Sequence, residues 1–237
     1  MAKDVIVVGL GYGDEGKGAT VDYLCSQHGF SWVVKASGGH QCAHHVHADG
    51  KSHCFSQYGS GALCGVPTRL TGDFIVEFNS MLNEKRALED IGGETFISIN
   101  PDLPVTTPYE RAVNRILERS RGDERHGSCG NGIGETRRSW NLGISLSVAD
   151  VGGWKPLLPK MRIIRSHCES RLVDAGVTDL RKFGDLYESH WPTRSVVDIC
   201  EEMCVSFRAC NVVVAKDEPD HGPRIFEGSQ GFHLDQI

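Results

Sequence analysis

Val5-Ile6-Val7-Val8-Gly9-Leu10-Gly11-Tyr12-Gly13-Asp14-Glu15-Gly16-Lys17-Gly18 is the stretch on which the fold class turns. Four consecutive β-branched residues suit a pleated, packed strand. The glycines that follow permit a tight turn and leave backbone N–H groups bare. Lys17 then falls at the start of a helix expected over residues 16–28, where amides and helix dipole already favour an anion. This is phosphate-binding machinery. Gly11, Gly13, Glu15, Gly16, Lys17 and Gly18 are its candidate ligand-holding residues. The loop also carries an acid, Asp14, for which a plain phosphate cradle has no need.

Two general motifs overlap here. Gly11-x-Gly13-x-x-Gly16 fits the dinucleotide fingerprint, and Gly11-x4-Gly16-Lys17 fits a P-loop. The first requires an acid at the end of the next strand to hold a ribose. That strand reads Ser31-Trp32-Val33-Val34-Lys35-Ala36 and offers Lys35 instead. The second expects Ser or Thr after the lysine as a Mg²⁺ ligand, where this chain has Gly18. A metal would then need another oxygen, and Asp14 is nearest. A glycine-rich turn serving packing alone would leave Lys17 and Asp14 without purpose.

Outward from this unit, the pattern alternates strands and helices. A His45–Ala48 and Ser52–Phe55 hairpin turns at Asp49-Gly50. A strand is expected over Asp73–Phe78, with Asn79 capping a helix to about Ile91. Thr95–Ile99 reads as a strand and Thr107–Ser120 as a helix. The glycine- and arginine-rich stretch 121–139 reads as a loop too long to be a mere connector. Helices follow near 155–176 and 192–209, then strands Asn211–Ala215 and Arg224–Glu227 and the loop Gly228-Ser229-Gln230-Gly231. The expected architecture is α/β: a mostly parallel central sheet flanked by helices on both faces, in one domain over 1–237. Ligands of such sheets bind in loops at the carboxyl ends of the strands.

The chain has 237 residues, 39% hydrophobic and 24% charged, enough to bury a sizeable core. A net charge of -6 excludes a bulk basic field for nucleic acid. No apolar run approaches membrane length, and a cytoplasmic location is expected. Nine cysteines occur without a C-x-x-C pair. Cys200 and Cys204, at helical spacing, read as small buried hydrophobes. His40, His44, His45, His47 and His53 crowd one segment, but no closing pair follows at zinc-finger spacing, and His45 and His47 fit hairpin positions. The arginines of 111–125 read mostly as a solvated helix face.

Gly13-Asp14-Glu15-Gly16-Lys17-Gly18 after an apolar strand resembles the signature of the adenylosuccinate synthetase family. Gly38-Gly39-His40-Gln41-Cys42-Ala43-His44 is similar to its GGxNAGHT loop. His126-Gly127-Ser128-Cys129-Gly130-Asn131-Gly132-Ile133-Gly134 is similar to HGTTGRGIG, and Glu227 to Asp235 to EGAQGTLLD. The four stretches occur in the family's order and span the chain.

The resemblance implies the adenylosuccinate synthetase fold, P-loop-NTPase-like, and a two-step ligation. A nucleoside triphosphate and Mg²⁺ phosphorylate the 6-oxygen of a purine monophosphate, and L-aspartate displaces that phosphate. It implies Asp14 as base at purine N1, His44 as acid or stabiliser at the transferring group, and Lys17 on the triphosphate. Asp14 and the Ala43 carbonyl would hold Mg²⁺. Ser128 and Cys129 would seat the monophosphate, Gln230 would bond the purine edge, and Gln41 stands where the family has Asn. Arg137 or Arg138 would reach across a homodimer.

The departures fall in loops facing the nucleotide, so the acceptor is IMP, as in the long enzymes, or (d)GMP, as in short phage members making 2-aminoadenylosuccinate. The family's later aspartate- and base-binding segments have no counterpart before Ile237. A P-loop-like NTPase or a regulatory nucleotide-binding module is the alternative reading.

Overall fold

A computed structural model describes residues 3–179, 191–217 and 222–231. They fall into two compact units, Met1–Leu103 with Phe207–Ile237, and Pro104–Ser206. In chain order the elements are β1 (Val5–Gly9), α1 (Lys17–Gln27), β2 (Trp32–Lys35), β3 (His44–Ala48), β4 (Lys51–Phe55), β5 (Thr68–Leu70), α2 (Phe78–Asp90) and β6 (Ile97–Ile99). There follow β7 (Pro104–Val105), α3 (Pro108–Ser120), α4 (Ile133–Asn141), β8 (Leu146–Ser147), α5 (Val148–Val151), α6 (Trp154–Asp174), α7 (Val196–Cys210), β9 (Val213–Val214) and β10 (Arg224–Gly231).

The first unit is built on a six-stranded sheet in the order β1-β10-β2-β5-β6-β9. Every pair in it is parallel. β10, last in the chain, inserts between β1 and β2, with Phe226 opposite Ile6 on one side and Val34 on the other. That insertion makes a switch point at which the loops after β1, β2 and β10 lie at neighbouring carboxyl ends. Val21 and Cys25 of α1 pack with Val33, Val66 and Ile225 in the core beneath. On the other face of the edge strand β1, Ile6 and Val8 are 70% and 59% exposed, so the described residues do not cover that edge on both sides.

The structure redraws several elements. Asp73–Phe78 is not a strand; Ile75 makes only an isolated bridge with Gly39. The sheet strand is Thr68–Leu70, which the charge of Arg69 disguises. That side chain is fully buried, with Nη1 donating to Ser98 Oγ at 2.8 Å. Gly72, at a φ of +61°, turns the chain away after it, and a Cβ there would lie 2.5 Å from the Ala36 carbonyl oxygen. Glu77, not Asn79, caps α2, accepting from the Asn79 and Ser80 amides. The stretch 121–139 is not loop throughout, because α4 starts at Ile133 behind the left-handed Gly132. β10 does not stop at Glu227 but runs to Gly231.

The second unit carries α3–α6 and the two-stranded antiparallel β7–β8 pair. α3 begins where its sequence says it should: Thr107 and Glu110 cap each other's backbone in a capping box, with Pro108 in the first turn. All nine cysteines are free thiols, and Cys200 and Cys204 are buried. No described helix is long and apolar enough to cross a membrane.

Candidate active site

Three loops of the first unit meet at the switch point. In the loop after β1, Gly16 adopts a left-handed conformation and starts α1 without any side-chain cap. Glu15 Oε1 accepts from Gly11 N at 2.7 Å and Gly13 N at 3.1 Å, so a carboxylate sits on the anion-type amides. The Gly13 amide above all, with that of Gly11, holds the Glu15 carboxyl below its ordinary value against the opposing effect of desolvation. Lys17, 3% exposed, donates to the Gly13 carbonyl at 2.9 Å and lies 3.5 Å from Glu15. Asp14 is exposed on the same loop.

Gly18, the departure from a P-loop, has a steric explanation. A Cβ there would lie 2.8 Å from His44 Cβ and 3.0 Å from Ser60 Oγ. The helix start has no side chain at this point because β3 passes directly over it.

His44, at the start of β3, is the centre of the arrangement. It is 7% exposed. Its Nδ1 makes a very short bond to Glu227 Oε1, and its Nε2 lies 3.3 Å from the Ser229 carbonyl oxygen. A carbonyl oxygen and an ionised carboxylate only accept, so each ring nitrogen of His44 faces an acceptor. Glu227 also accepts from Ser60 N at 2.9 Å and Ser60 Oγ at 2.5 Å. Complete burial pushes its carboxyl up, but Lys35, His44 and Ser60 together hold it down at about 2. The loop supplying Ser60 is itself held from both sides. Lys35 Nζ donates to the Ser56 carbonyl at 2.6 Å, and buried Glu84 accepts from the amides of Ser56, Gln57 and Tyr58.

The loop after β2 packs onto the same place. Gly38, at a φ of +76°, leaves room for Ser229, whose hydroxyl donates to the Ser37 carbonyl at 2.5 Å. Gln41 Oε1 is buried with no hydrogen-bond partner. Ala43 is exposed just before His44. Strand alternation turns His45 and His47 outward, as hairpin residues, while His44 and Val46 face in.

Lys17, Gly18, His44, Ser60, Glu227 and Ser229 are thus brought together. Gln230 is not beside them: alternation along β10 sets it on the opposite face from Glu227 and Ser229. Phe232 to Asp235 of the fourth motif lie outside the described residues. Ser128, Cys129 and Arg138 belong to the second unit. There Asn114 of α3 bonds the Ser128 hydroxyl at 3.1 Å, and half-exposed Arg138 lies 3.6 Å from Glu135.

Glu227, Ser60 and Lys35 are neighbours of His44 that residue patterns did not single out. Glu227 stood inside a quoted motif, but its charge has meaning only once folding brings the other three to it.

A parallel sheet with a Gly-Lys loop and a buried His–Glu pair at its switch point defines an α/β protein. The family model described as Adenylosuccinate synthetase matches residues 6–237, and the chain belongs to that family. It is 37% identical to the adenylosuccinate synthetase of Nitrosococcus oceani over 238 residues, covering 99% of this chain and 53% of the relative. With that of Psychromonas ingrahamii it shares 29% over 243 residues, with the same coverage. The chain therefore spans about half the length of the curated relatives it matches.

Among solved structures, fully ligated adenylosuccinate synthetase from Plasmodium falciparum superimposes with a TM-score of 0.74 at 15% identity, over 99% of this chain and 53% of that one. The succinoaminodeoxyadenylate synthetase (PurZ) of cyanophage S-2L, bound to dGMP and dATP, gives 0.50 at 15% identity, over 100% and 54%. The mostly parallel sheet with flanking helices is the fold of that family.

Proposed function

We propose that this chain carries the phosphoryl-activating part of a ligase that joins L-aspartate to the 6-position of a purine monophosphate. The observation that carries this reading is the buried His44–Glu227 pair standing against the start of the Gly-Lys helix. Phosphoryl transfer needs positioning and charge neutralisation more than covalent chemistry, and an imidazole fixed by an ionised carboxylate beside Lys17 supplies both.

In this reading Asp14 takes the N1 proton of the purine, turning its 6-oxo group into a nucleophile. IMP and (d)GMP are both 6-oxopurines, so one base serves either acceptor. Lys17 and the amides of Gly11, Gly13, Gly16 and Gly18 hold the triphosphate once the Glu15 carboxylate moves aside. His44 donates to the transferring group from Nε2, once that nitrogen leaves the Ser229 carbonyl. The partnerless Gln41 oxygen accepts from the nucleotide, Ser128 and Cys129 seat the monophosphate, and Gln230 reads the base after β10 adjusts.

Among the described residues no group of three or more His, Cys, Asp or Glu side chains could hold a metal ion. Mg²⁺ asks less of a protein: one or two oxygens, with water and substrate phosphates completing its shell. Exposed Asp14 and the Ala43 carbonyl are donors of that kind, and Gly18 offers none. Bound there, Mg²⁺ would neutralise phosphate charge. Homodimerisation through Arg137 or Arg138 and a cytoplasmic location complete the proposal.

The test is phosphate release by the intact gene product with Mg²⁺, a GTP, ATP and dATP panel, aspartate, and IMP or dGMP. Release that requires aspartate and one of the two acceptors is the expected result. Release indifferent to aspartate would make this an NTPase, and binding without release a regulatory module.

A further inference from the structure

Between β4 and β5 runs a five-residue segment, Ser56 to Ser60, whose first four residues lie in no helix or strand. Each of its five amides nevertheless donates to a side chain. Those of Ser56 and Tyr58 go to Glu84 Oε1 at 2.8 and 3.1 Å, and that of Gln57 to Glu84 Oε2 at 2.8 Å. The Gly59 amide donates to Thr68 Oγ1 at 2.8 Å, and the Ser60 amide to Glu227 Oε2 at 2.9 Å. One buried carboxylate therefore grips the head of the segment, and the other receives its tail.

The remaining groups are tied as well. Lys35 Nζ donates to the Ser56 and Tyr58 carbonyls at 2.6 and 3.3 Å. The Gln57 side chain is locked to the start of α2, donating to the Glu77 carbonyl at 2.8 Å and accepting from the Glu77 amide at 2.9 Å. Gln57, Tyr58 and Ser60 are fully buried. A Cβ on Gly59 would lie 2.5 Å from Val33 Cβ, so the segment is pressed onto β2 without slack. A mere connector would run over the surface and leave its amides to water. Burying a carboxylate is costly and is offset only by close donors, which here are three consecutive amides of one short segment.

What that segment delivers is Ser60. Its amide and its hydroxyl both end on Glu227, beside the bond from His44 Nδ1. A displaced Ser60 would carry the Glu227 carboxylate with it, and with the carboxylate the aim of the imidazole. We propose that Glu84 is a positioning residue for the His44–Glu227 pair, acting through the 56–60 segment and Ser60. The kinetic consequence rests on reading that pair as part of the phosphoryl-transfer machinery; the geometric one does not.

The first arm of the test is therefore amide hydrogen exchange on the whole protein, with Glu84→Gln and Glu84→Asp. Glutamine keeps the size but turns an NH₂ group toward amides that need an acceptor. Aspartate keeps the charge but falls one methylene short. Exchange across 56–60 should quicken several-fold in both variants, while β6, in the same unit, keeps the rate of the parent. Unchanged exchange at 56–60 overturns the proposal, as does a quickening that β6 shares equally. If the glutamine variant does not fold, the aspartate variant alone decides.

The second arm is a double-mutant cycle of Glu84→Asp with Ser60→Ala, read as phosphoryl transfer. Each single change should lower kcat by about 10- to 100-fold, as a small misplacement does, and leave the nucleotide KM unchanged. The double variant should be no slower than the slower single one. Losses that multiply overturn the proposal, because Glu84 would then act by another route. An aspartate variant with the kcat of the parent also overturns it, since charge and not position would be what matters. If exchange responds as expected but the parent transfers no phosphoryl group, the positioning of Glu227 stands and the catalytic reading of the pair falls.

Discussion

Glu227 in the first unit and Glu110 in the second are equally hidden from solvent, at 2% and 0% exposure, yet their carboxyl groups titrate at opposite ends of the range. Burial pushes both upward. Around Glu110 the counterweights are the Thr107 amide and the hydroxyls of Ser139, Thr107 and Thr136, and the group settles at about 7. Around Glu227 stand Lys35, His44 and Ser60, and it settles at about 2. The contrast separates two uses of a buried acid. Glu110 closes a capping box at the head of α3, work that a neutral carboxyl does nearly as well. Glu227 faces Lys35 and bonds both His44 and Ser60, an arrangement that favours the anion. Of the two, the committed charge is the one found at the switch point of the sheet.

The largest effect should come from removing that charge. Glu227→Ala leaves Lys35 and His44 buried without their carboxylate, and breaking such a pair costs about 3–5 kcal/mol. Urea denaturation near neutral pH checks this. Glu227→Gln keeps the shape, should fold, and should lower phosphoryl transfer by about 10²- to 10⁴-fold, the range of a displaced general acid. A Gln variant with the activity of the parent would reduce Glu227 to a packing residue like Glu110 and erase the contrast. Next in size is Gly18→Ser, which restores the P-loop hydroxyl but drives a Cβ into His44. Overpacking of this kind costs about 1–3 kcal/mol. A serine variant of unchanged thermal midpoint would mean that β3 is not seated on the helix start, and that Gly18 has some other reason.

How much of this was readable in advance follows the range of the forces involved. The β1–loop–α1 unit was legible because its signals are local: β-branched run, glycines, then lysine. So was α3, whose cap is written in Thr107, Pro108 and Glu110 within four positions. β5 was not legible, since a fully buried arginine looks polar until Ser98, far along the chain, is known to meet it. Glu110 and Glu227 each look like an ordinary glutamate. Their difference is made by groups that only folding assembles: Ser60 and Lys35 lie far from Glu227 in sequence, and nothing in a motif says which buried acid will find a cation. The convergence on His44 was legible at one partner, the histidine itself, and silent about the rest.

The smallest effect, and the sharpest test of the comparison, is the pH dependence of Glu110→Gln. Both acids start from an ordinary value of 4.5. Glu110 is raised, so between about 4.5 and about 7 the folded protein binds more protons than the unfolded chain. Its contribution to stability therefore falls as pH rises through that window. Glu227 is lowered, so its contribution is present above about 4.5 and is lost as pH falls toward about 2. Glutamine imitates a protonated acid, so Glu110→Gln should change stability by no more than about 1 kcal/mol at pH 4.5. It should remove the decline between pH 4.5 and 7 and leave the acid limb intact. Glu227→Gln should do the reverse, flattening the limb below 4.5 and keeping the decline above it. Stability measured by urea midpoint across both windows for the two variants decides the matter. If Glu110→Gln leaves the upper slope untouched, the acid is ionised in its box, hydroxyls and one amide suffice to hold a buried carboxylate, and the cation at Glu227 is no longer the cause of the difference.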